Sequence, residues 1–258
     1  MGVPDAVIYK IVRAQEHLQA FEAEARRYYQ TNPAKVVGQG EAPPDQYIGG
    51  IETEGPIPAR FPVIMGDFLQ NLRSSLDYLV WELVLAAKNT PGKHNMFPVC
   101  STPEAFQDAV TKQRRLLGIP DVAKAVIECL QPYNCGDFSK ALLWIIDDLC
   151  NINKHRRVLL TRMHGGLAPE DTETKIVDGE VWTRVDLSKI KDDTKIGPFP
   201  IVDGSAGPGI QVPVNLHVIA FIAFDEGGAK GMHVSAVMAG MLEYIYKSVL
   251  PLFNEFFV

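Results

Sequence analysis

The chain has 258 residues, 47% of them hydrophobic, which predicts a folded protein with a sizeable core and excludes a chain that is mainly disordered. Its 25 basic and 31 acidic residues give a formal net charge of −6, which excludes diffuse attraction to nucleic acid or to an anionic membrane. Any contact with RNA or DNA would therefore have to be local.

The first residues lack a basic region followed by an apolar run, so we expect no secretory signal. The most apolar stretch, residues 212–224, is interrupted by Pro213, Asn215 and His217 and is too short to span a membrane. The four cysteines lack the spacing of a disulfide framework or of a zinc site, so we expect reduced thiols. These features predict a soluble cytoplasmic protein without membrane contact and without a cofactor.

The first element predicted along the chain is a helix over residues 5–30, where apolar residues recur at helical spacing. Residues 33–62 are rich in Gly and Pro and contain two short β-like runs, at Val36-Val37 and at residues 47–53. This composition predicts a small hairpin or excursion between two helices.

A long helix is predicted from Pro62 to about Lys88, because proline suits a first helical turn and Pro91-Gly92 would end it. Its leucines recur at spacings of three and four, which is typical of a helix face packed against a core. These leucines are Leu69, Leu72, Leu76, Leu79 and Leu83. Polar groups stand beside this stripe, so the helix either satisfies a buried network or contributes to a site.

Three more helices are predicted before residue 165. Thr102-Pro103 is a start signal for a helix through Lys112, residues 121–130 form the next, and residues 139–160 form a second long helix. The pattern then changes to β-like runs at residues 174–177, 181–185 and 216–224, with Asp178-Gly179 as a tight turn. Residues 189–213 are predicted to be an irregular loop or lid, and residues 233–257 a final helix.

These elements predict an α+β fold in a single domain of residues 1–258. Residues 1–165 would be a helical bundle with two long central helices, residues 166–228 a small antiparallel β-sheet or β-rich insertion, and residues 232–257 the C-terminal helix.

The polar residues of the first long helix include Arg73 and Asp77, whose spacing predicts an ion pair within the helix. Burying Asn71, Arg73 and Tyr78 among leucines requires hydrogen-bonding partners, because an unpaired buried polar group is costly. We expect those partners on the second long helix, at residues 151–156. The two helices together would then form a polar pocket.

On the second long helix, Asp148, Asn151 and His155 fall on one face. A carboxylate or amide that orients an imidazole could form a general base, a set of metal ligands or a buried hydrogen-bond network, and all three interpretations stay open. Lys154, Arg156 and Arg157 place positive charge in the last turn, where it could hold a phosphate or simply cap the helix. No H-E-x-x-H pattern supports a metal site, and we predict none.

Three groups of motifs together resemble a widespread family of uncharacterised bacterial proteins, over residues 14–156. The first group is Gly66-Asp67, Asn71-Leu72-Arg73-Ser74, Leu76-Asp77 and Trp81; the others are Gln131-Pro132-Tyr133 and Asn151-Ile152-Asn153-Lys154-His155-Arg156. The resemblance implies almost nothing about function.

The segment from Arg73 also resembles the active motif of HEPN-type ribonucleases, an arginine followed after four to six residues by a histidine. In those enzymes both groups act on a scissile phosphodiester across a dimer. In the uncharacterised family the position of Tyr78 is often histidine, which would complete the motif. A phenol, with an ordinary pKa of about 10, is a poor base at neutral pH, so His155 would have to replace it.

The resemblance implies a HEPN-like homodimer whose polar pocket binds or cleaves a phosphate-bearing ligand, with RNA as the expected ligand. Arg73 would stabilise phosphate charge, His155 would move the proton, and Asn71 with Asp77 would orient them. Tyr78 completes the expected catalytic group. Ligand binding is expected of Asn71, Asn151, Lys154 and Arg156. The alternatives are a non-catalytic dimeric binding or scaffold protein, and a small-molecule hydrolase that uses the same cleft.

Overall fold

The computed structural model describes residues 2–31, 35–38, 49–52, 57–158, 160–164, 172–177, 180–185 and 220–257. The chain divides into two compact units. The first unit contains Met1–Glu24, Pro58–Thr161 and Ala223–Val258, and the second contains Ala25–Ile57 and Arg162–Ile222. The single domain expected from the sequence stays a prediction.

The described part of the chain is mostly helical with short paired strands, as the sequence predicts. Its α-helices are α1 (Asp5–Thr31), α2 (Arg60–Ala86), α3 (Pro103–Thr111), α4 (Asp121–Cys129), α5 (Leu142–His155) and α6 (Val234–Glu243). Its strands are β1 (Lys35–Gly38), β2 (Gly49–Glu52), β3 (Leu160–His164), β4 (Thr172–Val177), β5 (Glu180–Val185) and β6 (Ala220–Phe224).

The second unit contains two antiparallel strand pairs, β1 with β2 and β4 with β5. In the second of these pairs Val177 is opposite Glu180. The tight turn predicted at Asp178-Gly179 lies outside the described part. A third pair joins β3 to β6. The described strands therefore form three two-stranded pairs instead of the one small sheet expected. The loop or lid predicted at residues 189–213 also lies outside the described part.

Helix α2 is the central element of the first unit. The five leucines of its predicted core stripe are at most 1% exposed, which confirms the helical period. The buried face is wider than that stripe because Phe61, Met65 and Phe68 are buried as well. The helix therefore contacts the core around much of its circumference.

Helices α2 and α5 pack in antiparallel directions. Along the pair, the contacting residues have rising numbers on α2 and falling numbers on α5. Gly66 lies against Asn153, where an added Cβ would be 2.6 Å from the Asn153 Oδ1 atom. One turn along, the Cys150 thiol donates to the Leu69 carbonyl over 3.4 Å. Burial is the main cause that raises the pKa of Cys150, to about 12, so the thiol is neutral.

Helix α5 has 14 residues and is shorter than the helix predicted over residues 139–160. At its start, Asp137 accepts from the Ser139 amide, and this bond caps a separate 3₁₀ turn at Phe138–Lys140. At its end, Arg156 is extended with φ −162° and ψ 165°. Both ends of α5 depend on local backbone geometry, which the spacing of apolar residues does not predict.

The C-terminal helix begins as α6 and continues as a π-helix over Tyr244–Val249 and a 3₁₀ helix over Leu250–Phe256. The sequence period predicts Leu252 in the core, but Leu252 is 47% exposed and Leu250 and Phe253 are buried. The change of helix type is the reason, because a wider π turn shifts the phase of the residues that follow.

Candidate functional site

The side chain of Arg73 forms the centre of a polar network between α2 and α5. Its Nε donates to Asp147 Oδ1 at 3.1 Å, its Nη1 to Asp77 Oδ1 at 2.7 Å, and its Nη2 to the Phe97 carbonyl at 2.7 Å. The residue is only 8% exposed. Each of the three guanidinium nitrogens therefore has an acceptor inside the protein, as a buried charge requires.

Asp77 joins the same network to the chain that follows α2. Its Oδ1 accepts from the Phe97 amide at 2.9 Å as well as from Arg73. Because Arg73 bonds the carbonyl of the same residue, both backbone groups of Phe97 are held by this ion pair. The pair predicted from the spacing is present, and it fixes the segment between α2 and α3.

On α5 the partner of Arg73 is Asp147, which the sequence analysis did not single out. Asp147 Oδ2 also accepts from Asn151 Nδ2 at 3.0 Å, and Asn151 Oδ1 accepts from Lys154 Nζ at 3.2 Å. A chain of bonds thus runs from Phe97 to Lys154. It links Arg73, Asp77, Asn151 and Lys154 of the expected site, although its outer end is exposed.

Tyr78 and Asn71 have other surroundings. Tyr78 is 43% exposed, and Lys10 Nζ of α1 lies 5.3 Å from the centre of its ring. The Asn71 amide donates to the Asp67 carbonyl of its own helix at 2.8 Å. Neither residue makes a described hydrogen bond to the Arg73 network.

His155 lies two helical turns from Asp147, about 12 Å along the axis of α5. It is exposed, and among the described residues its side chain makes no hydrogen bond. The structure therefore does not place the imidazole against the Arg73 guanidinium. The expectation that the two groups confront each other is wrong for this reason.

Arg156 and Asp148 both contact the segment after β6. Arg156 Nη1 donates to Glu226 Oε1 at 2.8 Å, a second bond joins Nη2 to Oε2, and the Glu226 bond raises the pKa of Arg156. Asp148 Oδ2 accepts from the Gly228 amide at 3.2 Å. These residues hold a tertiary contact, which differs from the ligand-binding role expected of Arg156.

Gln131 is a buried polar residue whose role the sequence analysis missed. It is 1% exposed, its Oε1 accepts from the Cys100 amide, and its Nε2 donates to the Pro98 and Ile127 carbonyls. In the sequence, Gln131 stands out only as part of the Gln131-Pro132-Tyr133 motif, which supports the resemblance to the uncharacterised bacterial family. Together with Arg73 and Asp77, Gln131 fixes the extended chain that precedes α3.

The charges around Arg73 do not favour an incoming anion. One guanidinium is flanked by the carboxylates of Asp77 and Asp147, so the three groups together carry a net negative charge. The nearby Cys100 is buried, which raises the pKa of its thiol and disfavours a reactive thiolate. Within the described ranges, no group of three or more His, Cys, Asp or Glu residues is arranged to hold a metal ion.

One described helical segment, Val234–Phe256, is long and apolar enough to cross a membrane, with a mean hydropathy of 1.2. The sequence analysis had found the most apolar stretch elsewhere, at residues 212–224. Met238, Met241 and Ile245 of this segment are fully buried, and a core helix passes the same test of length and composition. The segment therefore gives only weak evidence for a membrane.

Comparisons of the chain with protein-family models, with curated protein sequences and with solved structures found no match.

Proposed function

We propose that this chain is a non-catalytic binding protein of the HEPN-like helical kind, whose ligand carries phosphate groups, with RNA as the proposed ligand. The observation that carries the non-catalytic part is the closed arrangement at Arg73, whose three nitrogens donate to Asp147, Asp77 and the Phe97 carbonyl. A guanidinium engaged in this way serves to join helices.

The geometry gives little support to phosphodiester cleavage. A general base must come within about 2.6–3.2 Å of the proton it removes, directly or through one water. His155 lies two turns from the partner of Arg73, and Tyr78 lies beside Lys10. Neither His155 nor Tyr78 is therefore placed as a base beside Arg73, and the carboxylates that are beside it, Asp77 and Asp147, are held by the guanidinium, which favours binding over cleavage.

The proposed ligand contacts are the exposed basic groups at the end of α5. Arg156 is bonded to Glu226, so Lys154 and Arg157 supply the available charge beside His155. Because the helices are antiparallel, Arg60 at the start of α2 lies toward the same end of the pair; its side chain is 66% exposed but lies 3.8 Å from Glu24 Oε2, so it contributes less charge than Lys154 and Arg157. Exposed cations of this kind suit phosphate groups.

We also propose that the helices of the first unit form the predicted bundle and that two copies associate into a homodimer. Support for the bundle is the antiparallel pairing of α2 with α5 and the buried faces of α1 and α6. Support for the dimer is an exposed apolar stripe on α2, formed by Tyr78, Trp81 and Leu85, each 43–47% exposed. The cytoplasm is the proposed setting, because all four cysteines are free thiols.

The test combines RNA binding with an assay for cleavage on the purified full chain. The proposal predicts that a labelled single-stranded RNA is bound and stays intact. Lys154→Gln with Arg157→Gln should weaken binding roughly tenfold at low salt, since each removes a phosphate contact. Intact RNA with unchanged affinity in this double variant would reject the contact surface, and cleavage lost on Arg73→Lys would reject the non-catalytic part.

A further inference from the structure

A second basic surface lies beyond the other end of α2. Between residues 83 and 120 the sequence contains five basic residues, Lys88, Lys93, Lys112, Arg114 and Arg115, and two acidic ones, Glu104 and Asp108. This segment is therefore positive within a chain of net charge −6. We call the group Lys88, Lys93, Arg114 and Arg115 the basic loop surface.

Hydrogen bonds hold the two loops of this surface together. Asn95 Nδ2 donates to the Arg115 carbonyl at 3.2 Å and to the Leu117 carbonyl at 2.9 Å. The Met96 amide also donates to the Arg115 carbonyl, at 3.3 Å. The turn that carries Lys93 is thus fixed beside the turn that carries Arg114.

The end of α2 is tied to the same place. Asn89 Nδ2 donates to the Gly118 carbonyl at 2.9 Å, and a Cβ added at Gly118 would lie 3.2 Å from Val84 and from Asn89. Lys88 precedes Asn89, so its charge belongs to the same surface. Two stretches of chain about 20 residues apart, one with Lys88 and Lys93 and one with Arg114 and Arg115, are therefore held side by side.

The backbone that carries these cations is held in a conformation that needs support. Lys88 and Arg114 have φ values of 59° and 58°, in the left-handed region that residues other than glycine seldom adopt. Arg115 Nε also donates to Gln113 Oε1 at 2.8 Å, which fixes its side chain. Because the backbone of the two turns is already held by hydrogen bonds, binding would lose less backbone conformational entropy.

The charge of the surface is not neutralised by its acidic neighbours. Asp108 pairs with Lys112, which leaves Glu104 as the other carboxylate of the segment. Among the described residues, Lys88, Lys93 and Arg114 make no ion pair, and all three are exposed. Within residues 83–120, four cations thus stand against Glu104 alone. Two further carboxylates flank this segment, Glu82 and Asp121, and Asp121 pairs with Lys124.

We propose that the basic loop surface binds the phosphodiester backbone of a nucleic acid without reading its sequence. Two adjacent arginines match phosphate geometry through their planar guanidinium groups, and fixed turns suit a repeating polyanion. Lys154 lies on α5 opposite the start of α2, so α2 separates the two basic regions by about 30 Å. The inference uses other residues than the proposed function and does not rest on it.

Fluorescence anisotropy of a labelled 20-nucleotide RNA, and of a DNA of the same sequence, tests the inference on the full chain. Four phosphate contacts predict a slope of log K against log salt of about −2.8, and hence about 50-fold weaker binding at 200 mM than at 50 mM salt. RNA and DNA should bind alike. Failure to bind either at 50 mM salt would overturn the inference, as would preference for anionic vesicles or for polyglutamate.

Matched variants locate the binding. Lys93→Gln with Arg114→Gln should weaken binding roughly tenfold and reduce the slope by about 1.4, whereas Lys93→Arg with Arg114→Lys keeps both charges and should retain the slope. Lys247→Gln changes the charge of an exposed lysine on the C-terminal helix and should have little effect. Equal losses in the Lys93/Arg114 and Lys247 variants would contradict a local surface.

The Lys154/Arg157 double variant separates this inference from the proposed function. If binding falls only in the Lys93/Arg114 variant, the basic loop surface stands and the proposed contacts at the end of α5 fail. If binding falls only in the Lys154/Arg157 variant, the opposite holds. Unfolding midpoints equal to that of the parent chain exclude loss of folding as the cause in either case.

Discussion

The Nε atom of Arg73 donates to Asp147 Oδ1 over 3.1 Å, and this bond connects α2 to α5 through two residues that are 74 positions apart in sequence. The same guanidinium holds Asp77 one turn away and the carbonyl of Phe97. One side chain therefore fixes α2, α5 and the segment before α3. A buried cation with these partners holds the three segments together, and we call the cation with its three bonds the Arg73 joint. Removing the cation leaves two carboxylates without their counterion.

The first prediction concerns this joint. Arg73→Ala should lower the free energy of unfolding by about 3 kcal/mol, because breaking a buried ion pair leaves an uncompensated charge. We place the value at the low end of the usual range since the Asp77 and Asp147 side chains are 36% and 24% exposed. Urea unfolding of the parent and the variant gives the difference.

Two variants provide controls for this measurement. Arg73→Lys keeps the charge but cannot make three fixed bonds, so its free energy of unfolding should lie between those of the parent and of Arg73→Ala. Gln70→Ala removes an exposed side chain of the same helix whose one hydrogen bond within the described ranges is to Ser74, and it should change stability by at most about 0.5 kcal/mol. A loss below about 1 kcal/mol for Arg73→Ala would contradict a structural joint.

The second prediction concerns the closest approach of α2 and α5. A methyl group at Gly66 would lie 2.6 Å from Asn153 Oδ1 and 2.7 Å from its Nδ2. Alanine favours a helix interior over glycine by about 1 kcal/mol, so two effects oppose each other in Gly66→Ala. In an Asn153→Ala background the clash disappears, and Gly66→Ala should then stabilise the protein by about 1 kcal/mol.

A double-mutant cycle of Gly66→Ala and Asn153→Ala measures this coupling directly. We expect the glycine substitution to be more favourable by about 1 kcal/mol or more when Asn153 is absent. Gly240→Ala tests helix propensity alone, because an added Cβ there meets nothing within 4 Å. Coupling near zero would mean that the Asn153 amide moves aside without cost.

Much of the fold could be predicted from local patterns. The leucine stripe placed the buried face of α2, and Thr102-Pro103 marked the start of α3, where the Thr102 hydroxyl accepts from the Ala105 amide. Both depend on neighbours within one or two turns. The buried positions of the C-terminal helix were harder to predict. Its π turns shift the phase of the helix before Leu250 and Phe253, without a marked change in composition.

The candidate site was predicted only in part, for a related reason. The spacing of Arg73 and Asp77 correctly indicated an ion pair, and burial among leucines correctly required further partners. Which residue of α5 supplies the partner depends on the antiparallel register, which Gly66, Asn153 and Cys150 set by their contacts. A register shifted by two turns would have brought the His155 imidazole to Arg73. The amino-acid sequence of one chain does not specify this register.

The third prediction is a loss of stability in alkaline solution. Cys150 has a pKa of about 12 in the folded chain, mainly from burial, against 9.0 for a free thiol. Above pH 9 the unfolded chain releases this proton and the folded chain keeps it, so stability falls as pH rises. At pH 10.5 the thiol should account for about 2 kcal/mol of the loss.

Urea unfolding at pH 8.0 and pH 10.5 tests this prediction against Cys150→Ala. The variant is expected to be less stable at pH 8.0, since it leaves a small cavity, but to lose about 2 kcal/mol less than the parent between the two pH values. Cys135→Ala, which removes an exposed thiol, serves as the control and should retain the parent's pH dependence. An unchanged pH dependence in Cys150→Ala would assign the loss to other groups.

The fourth prediction concerns the proposed homodimer. Tyr78, Trp81 and Leu85 occupy one side of α2 and are each 43–47% exposed, so they offer an apolar stripe that a second copy would bury. In sedimentation velocity the parent chain should have the mass of two copies. Trp81→Glu should shift it to one copy, because a carboxylate without a partner is costly inside an apolar interface.

Val122→Glu provides a matched control for the dimer, since Val122 is 64% exposed but lies on α4 and is not part of the α2 stripe. It should leave the mass unchanged. Trp81→Phe keeps an apolar ring and should dimerise with a modest loss of affinity, because less area is buried. A parent chain that sediments as one copy at micromolar concentration would reject the dimer. The Arg73 joint would still stand, because all of its bonds lie within one chain.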